Sequence, residues 1–284
     1  MHKYGVFILG ILVIAIGLFL FMRLPAQAPV VATASPSVSV SATPEPNIIV
    51  LSPKPGEQVS NPIHVVGKAR VFEATFVYRL LDASGRVLIE SNAMTRGPSV
   101  PDYGDIDIKV PVLVRTPEVI SGNANPLSFT LEVFEYSAKD GAVVNLVSVP
   151  VTLATNETST TKAYFTNAKL DNSTSCTEVF PVDRKIYKTQ EVGYMAVTEL
   201  LRGPTDAEKV AGYQTAIPKD FRLNTLVINN GTATVDFQNY AAAPAGSCFI
   251  SSIRAQITKT LQQFSSIKKV VISINGRTED ALQP

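Results

Sequence analysis

The chain has no tryptophan, only two histidines and only two cysteines in 284 residues. Without tryptophan there are no indole platforms for a sugar-binding surface, although nine tyrosines remain. His2 stands before an apolar run at the amino terminus, and His64 sits between Ile63 and Val65 in a strand-like stretch. A histidine in that setting reads as a satisfied surface or rim residue. A Ser-His-Asp triad would have to be built on His64, and no nucleophile elbow accompanies it. No run of His, Cys and carboxylate residues has the spacing of a zinc site. Phosphate and dinucleotide loops of the forms Gly-x-x-x-x-Gly-Lys and Gly-x-Gly-x-x-Gly are missing as well. The chain therefore reads as a non-enzyme, with no catalytic, cofactor-binding or metal residues expected and no cofactor. Its 24 acidic residues could supply a glycosidase pair, but no cleft-forming context supports one. Charge of one sign is also lacking: the net charge is +1 and no long block of like charge occurs. A nucleic-acid partner needs a basic face, so none is expected.

The longest apolar run is Gly5 to Met22, GVFILGILVIAIGLFLFM, without a charge or a proline. As a helix it would be about 27 Å long, close to the hydrocarbon thickness of a bilayer. Residues 1–23 are accordingly expected to be a transmembrane signal anchor. His2 and Lys3 before the run favour an amino terminus inside and a bulk outside. That is a single-pass protein of the cytoplasmic membrane. Ala26-Gln27-Ala28 has the small-x-small form of a cleavage site, so the alternative is a secreted chain cut near Ala28. Residues 24–47, rich in proline, alanine, serine and threonine, read as an extended tether.

From Ile48 to Leu153 the pattern alternates as in strands. Runs at 48–51, 63–72, 75–81, 86–90, 106–112, 127–136 and 142–153 are separated by turn signals such as Asp82-Ala83-Ser84-Gly85 and Lys139-Asp140-Gly141. Short strands with frequent turns imply a sandwich of two antiparallel sheets over 48–153, with Phe72, Phe76, Tyr78, Leu80, Phe129, Leu131 and Val133 as its core. Asp102, Asp105 and Asp107 alternate in PDYGDIDIKV; they could meet a hard cation, but they read better as a solvated strand face.

Three blocks carry a resemblance: Ser52-Pro53-Lys54-Pro55-Gly56, Val59-Ser60-Asn61-Pro62 and the stretch from Val66-Gly67-Lys68-Ala69 through Phe72-Glu73. They resemble the immunoglobulin-like domain of bacterial spore-germination and related envelope proteins. The resemblance implies an adhesive or spacer module.

After the polar linker 154–161 the pattern changes. Lys162–Thr166 is a short strand. Gln190–Arg202 has helical spacing and ends at Arg202-Gly203-Pro204, a base, a glycine and a proline that cannot continue a helix. Leu223–Ile228 and Thr232–Phe237 flank Asn229-Asn230-Gly231, a tight hairpin. Ser247 is placed to cap a helix carrying Ile250, Ile253, Ile257 and Leu261, and Lys269–Ile274 is a final strand. The order predicts an α+β domain over 162–284, βαββαβ, with a four-stranded sheet and two helices on one face. Pro181-Val182-Asp183-Arg184, Leu200-Leu201-Arg202-Gly203-Pro204-Thr205, Gly212-Tyr213-Gln214-Thr215 and Gly231-Thr232-Ala233-Thr234-Val235-Asp236-Phe237 resemble the GerMN domain of sporulation and spore germination proteins. That family implies an envelope module without a catalytic set, similar to small α/β domains that assemble into rings and scaffolds.

In a split βαβ sheet the first and third strands lie side by side and parallel, and the loops leaving their ends share one edge. Cys176 and Cys248 fall on those two loops, so an exported chain is expected to join them in a structural disulfide. A redox-active pair is the alternative; Cys248 at a helix start suits it, but the spacing is not Cys-x-x-Cys. The expected role is a membrane-anchored extracytoplasmic scaffold or interaction module that meets other envelope proteins or itself. A cell-wall or polysaccharide binder is the alternative, and a wall hydrolase stands behind both.

Overall fold

Alternation of apolar and polar residues builds the first half of the structure, a computed structural model that describes residues 45–98, 100–114, 127–173, 175–238, 246–279 and Leu282. Eight strands form: β1 (Ile48–Ser52), β2 (Glu57–Val59), β3 (Ile63–Ala69), β4 (Thr75–Asp82), β5 (Val87–Met94), β6 (Gly104–Val110), β7 (Ser128–Tyr136) and β8 (Val143–Leu153). They make two sheets, β1-β3-β6 and β2-β8-β7-β4-β5, antiparallel except for the β2–β8 pair. Every second residue faces in, so Ile63 and Val65 meet Phe76, Leu80, Phe129, Leu131 and Val133 between the sheets. Tyr78 is only partly buried against this core. Phe72, expected inside, is 69% exposed. It opens a 3₁₀ turn, Phe72–Ala74, in which Glu73 and Ala74 adopt φ of +52° and +55°. That turn interrupts the alternation and points the ring outward. Gly67 lets β1 cross close to β3, because a Cβ there would stand 2.2 Å from the Ile49 carbonyl oxygen.

The second half contains β9 (Thr158–Asn167), β10 (Phe180–Tyr187), α1 (Val192–Leu201), α2 (Asp206–Val210), β11 (Tyr213–Gln214), β12 (Arg222–Asn229), β13 (Thr232–Gln238), α3 (Ser247–Gln262) and β14 (Lys269–Ile274). Helix α1 stops where its sequence says, with Gly203 at φ +75°. The β12–β13 hairpin turns through Asn230 and Gly231, both at positive φ. Ser247 is the first residue of α3 rather than its cap; Gly246 holds the cap position without a side-chain bond. The core gathers Ala163 and Phe165 of β9, Val197 and Leu200 of α1, Val235 and Phe237 of β13, and the Ile250, Ile253, Ile257 and Leu261 stripe of α3.

Two parts of the expected fold class are corrected. First, the structure is mostly β, and no helix among the described residues is long and apolar enough to cross a membrane. Among the described residues the architecture includes no membrane-spanning helix; Gly5–Met22, on which one was expected, lies outside the described residues, as does the cleavage site near Ala28.

Second, among the described residues no single four-stranded βαββαβ sheet forms. β9 pairs with β10 and, at Thr166 and Asn167, with β11, while β13 lies between antiparallel β12 and parallel β14. The edge of β9 that was to receive β13 is occupied by side chains of α3 and its cap. Lys162 N donates to Gln263 Oε1 at 2.9 Å, and Gln263 Nε2 donates back to Lys162 O at 2.7 Å. Tyr164 N donates to Thr260 Oγ1 at 3.1 Å. A helix face thus does for this strand what a neighbouring strand would do, and buried backbone groups find partners without a ladder.

Replacing Gln263 by Ala strips both partners from Lys162 and should cost about 1–3 kcal/mol in urea unfolding. Gln262→Ala, which removes an exposed bond to the Lys268 carbonyl, should cost well under half as much. Equal losses would mean that the edge contact is not what Gln263 supplies.

Candidate binding cleft

Glu45–Pro284 forms one compact unit, and the sandwich and the α/β half share side chains. Tyr187, at the end of β10, is buried in the sandwich core. Ile186, Tyr194 and Met195 form a small cluster with Leu113, which follows β6. The Tyr194 hydroxyl donates to the Lys109 carbonyl at 3.2 Å, and the Lys109 ammonium pairs with Glu191 and lies 5.5 Å from the Tyr194 ring. Asn61 braces the junction: its side chain bonds both N (2.8 Å) and O (3.1 Å) of Val112, and its own carbonyl accepts from Thr189 Oγ1. Burial pushes the Tyr194 phenol far up, so it stays a neutral donor at any physiological pH.

Behind α1 lies a buried ion network. Glu199 is fully buried; Arg202 Nη1 reaches its two oxygens at 2.9 and 2.7 Å, and Arg184 Nε stands 3.7 Å away. The Arg184 guanidinium also takes Glu208 in a fork, at 2.6 and 2.7 Å. Glu208 closes the capping box of α2 with Thr205. The Pro-Val-Asp-Arg and Leu-Leu-Arg-Gly-Pro-Thr blocks of the sequence are thus the two sides of one charge cluster. Burial pushes the Glu208 carboxyl up, but Arg184 and the Thr205 cap pull it down further, and the net shift is downward.

Between the halves opens a cleft of about 860 Å³. One wall is β5 with the two residues after it: all eight residues from Ile89 to Arg96 border the cleft in succession, so the strand meets it edge-on. The opposite wall is Phe221–Thr225, and the floor takes alternate residues of β13 and β14, including Asp236 and Ser273, from one sheet face. Asp236 is fully engaged: Oδ1 accepts from Ser273 Oγ (2.6 Å) and Gly276 N (2.8 Å), and Oδ2 from Asn224 Nδ2 (2.7 Å). At the rim Asp107 accepts from His64 Nε2 (2.8 Å) and Arg96 Nη1 (2.9 Å). The His64 bond, then the Arg96 charge, holds its carboxyl below the usual range despite partial desolvation. Burial pushes the Tyr78 phenol up, against the Ser91 hydroxyl and the Arg222 charge.

Cys176, in the loop after β9, and Cys248, in the first turn of α3, are joined by a disulfide with a Cα–Cα distance of 5.2 Å across 72 residues. The bridge lies away from the cleft, and it does not rest on a β9–β13 pairing. Of the alternating aspartates, Asp107 belongs to the His64–Arg96 cluster, and Asp105 pairs through its backbone with Arg96. Among the described residues no group of three or more His, Cys, Asp or Glu is placed to hold a metal. Sequence reasoning missed Arg222, Asn92, Asp236 and the junction residues Asn61, Tyr187, Thr189 and Tyr194. Tyr78 was singled out as core, His64 as a satisfied surface or rim residue and Asp107 as part of a solvated strand face.

Residues 47–142 match the family described as the immunoglobulin-like domain of bacterial spore germination, and residues 162–280 match sporulation and spore germination. The chain is a spore-germination-type protein, an immunoglobulin-like domain followed by a GerMN domain. It is 29% identical over 139 residues to the spore germination protein GerM of Bacillus subtilis (strain 168). That match covers 44% of this chain and 37% of the relative. Among solved structures, the tandem GerMN domains of Bacillus subtilis GerM share 22% identity, cover 46% of this chain and 47% of that one, and superpose with a TM-score of 0.34. The first GerMN domain of the same protein shares 24% identity over 42% of this chain and 85% of that one, with a TM-score of 0.29.

Glu208 sets a pH dependence of known sign. Its folded-state carboxyl titrates below its ordinary value, so the stabilisation is present above the ordinary glutamate range and is lost as pH falls through the folded value. The stability gap between the native chain and Glu208→Gln should therefore shrink as pH is lowered from 7 to 3 in urea titrations. A constant gap would remove the charge on Glu208 from the cause.

Proposed function

We propose that this chain is a non-enzymatic protein-interaction module of the bacterial envelope, working outside the cytoplasm in a sporulation- or germination-type process. Its two domains, taken as 48–153 and 162–284, act together and present one composite surface to a partner protein. The observation that carries this reading is the shared packing: Tyr187 of one domain completes the core of the other, and Asn61 and Thr189 tie the two backbones together. Modules joined in this way hold a fixed geometry, and a preformed surface loses less entropy on binding. The engagement of the cleft carboxylates supports a binding role over catalysis, since Asp236 and Asp107 already accept from neighbours. We assign the Cys176–Cys248 bridge a structural role, which suits an oxidising compartment outside the cytoplasm.

Cross-linking mass spectrometry on intact cells that carry the tagged full-length chain tests the function. Reproducible adducts to defined envelope proteins, or to a second copy, are expected. Recovery with wall glycan alone would overturn the reading in favour of wall binding. Reduction tests the bridge: a loop of 72 residues gives about 4 kcal/mol in the chain-entropy model, so reduced and alkylated protein should unfold at clearly lower urea. An unchanged urea midpoint would deny the bridge a structural role.

A further inference from the structure

We propose that the cleft binds an extended peptide segment carrying an acidic side chain, added as a strand along the outward side of Glu90–Met94 in β5; this site rests on the interaction reading above. β5 ends the sheet order β2-β8-β7-β4-β5, so among the described residues no strand flanks Glu90–Met94 on the outward side, and the edge is closed just beyond by the Arg96–Asp105 backbone pair. The phase of its backbone follows from the β4–β5 register. Thr95 N donates to Ala74 O at 2.8 Å, and hydrogen-bonded pairs alternate with unbonded ones in an antiparallel ladder. Ala93, Ser91 and Ile89 therefore turn their N–H and C=O toward β4, while Met94, Asn92 and Glu90 turn theirs outward. Three outward donor–acceptor sets recur at a spacing of about 6.8 Å, the two-residue repeat of an extended chain. Such an edge is a template for strand addition.

The opposite wall supplies the charge preference. Arg222 has a guanidinium that, among the described residues, bonds only the backbone carbonyls of Lys219 and Phe221. The other cations along the cleft are matched: Arg96 with Asp107, Lys109 with Glu191, and Arg202 with Glu199. Arg222 is the cation left to pair with an incoming carboxylate, and its charge reaches the Tyr78 phenol. The volume of about 860 Å³ lies within the range of ligand clefts and suits one extended segment between two walls rather than the sheet of a second copy.

The test selects phage-displayed random dodecapeptides on the oxidised full chain, then titrates fluorescein-labelled winners by anisotropy. The winners should carry Asp or Glu. The Asn92 N–H serves no ladder bond, and proline is tolerated at such edge positions, so Asn92→Pro removes a docking donor while leaving the sheet bonded. It should weaken binding about tenfold or more, whereas Asn92→Ala, which keeps the N–H, stays within about twofold. Arg222→Glu should shift selection from acidic to basic peptides. Amide hydrogen exchange on the native chain should show added protection at Glu90, Asn92 and Met94 with peptide bound, a readout that survives even if Asn92→Pro fails to fold. Absence of enriched binders, binding indifferent to the Arg222 charge, or protection elsewhere would overturn the site. Envelope adducts that persist in Asn92→Pro would leave the interaction function standing and remove only this site.

Discussion

A carboxylate with no exposure to water, Glu199, is the constraint around which the α/β half is arranged. A buried charge is tolerated only when its neighbours replace the lost water. Arg202, one turn along α1, meets it from the same helix, and Arg184 approaches it from β10. Arg184 in turn draws in Glu208 and so fixes where α2 begins. Three elements that no continuous ladder unites are pinned at one point. Buried ion networks add little net stability over an apolar filling, but removing one partner costs about 3–5 kcal/mol because the other is left uncompensated. Their contribution is selection: other placements of β10 against α1 strand a charge.

That selection reaches the junction. Glu199 fixes one face of α1, with Met195 a turn earlier on that same face; Tyr194 leads from the helix to the sandwich, and β10 delivers Ile186 and Tyr187 at its end. Arg184 and Ile186 both face inward on β10, the first into the charge cluster and the second into the junction. A two-residue period in one strand couples the electrostatics of one half to its packing on the other. The cleft follows from this coupling, because β5 and Arg222 face each other only while the junction holds.

How much of this was legible in the sequence depends on the range of the forces. Local signals read correctly: Asn230-Gly231 demanded positive φ, Arg202-Gly203-Pro204 ended α1, and the alternation of Phe76, Leu80, Leu131 and Val133 marked the sandwich core. β10 was passed over because its alternation inserts Arg184 where a core residue is expected, and an inward arginine looks like a surface one until its acids are located. Phe72 misled for the opposite reason: an aromatic in a strand pattern reads as core unless the positive φ of Glu73 and Ala74 is foreseen. The β9–β13 pairing failed because Gln263 and Thr260 satisfy the β9 edge from a helix about a hundred residues away, and a side-chain amide that replaces a strand leaves no periodic trace. Arg222 and Asp236 come from the two strands of one hairpin that the sequence does announce, but Asn92 comes from a strand far earlier in the chain, and nothing in its local sequence marks it as their neighbour.

Two strand edges, of β9 and of β5, show why the cleft is a site and not a flaw. Unpaired edges invite aggregation, and proteins cover them, charge them or bend them away. The edge of β9 is covered by α3. Among the described residues nothing pairs with β5 on the outward side of Glu90–Met94, and the strand, VLIESNAM, contains neither lysine nor proline to protect it. Its protection is position: it lies along the wall of a cleft, with the residues around Arg222 across from it. In the proposed site the opposite wall would keep out a foreign sheet and admit a single extended chain. An edge with no strand partner among the described residues, beside a cation that none of them meets with a carboxylate, has the physical form of a selective receptor for a strand.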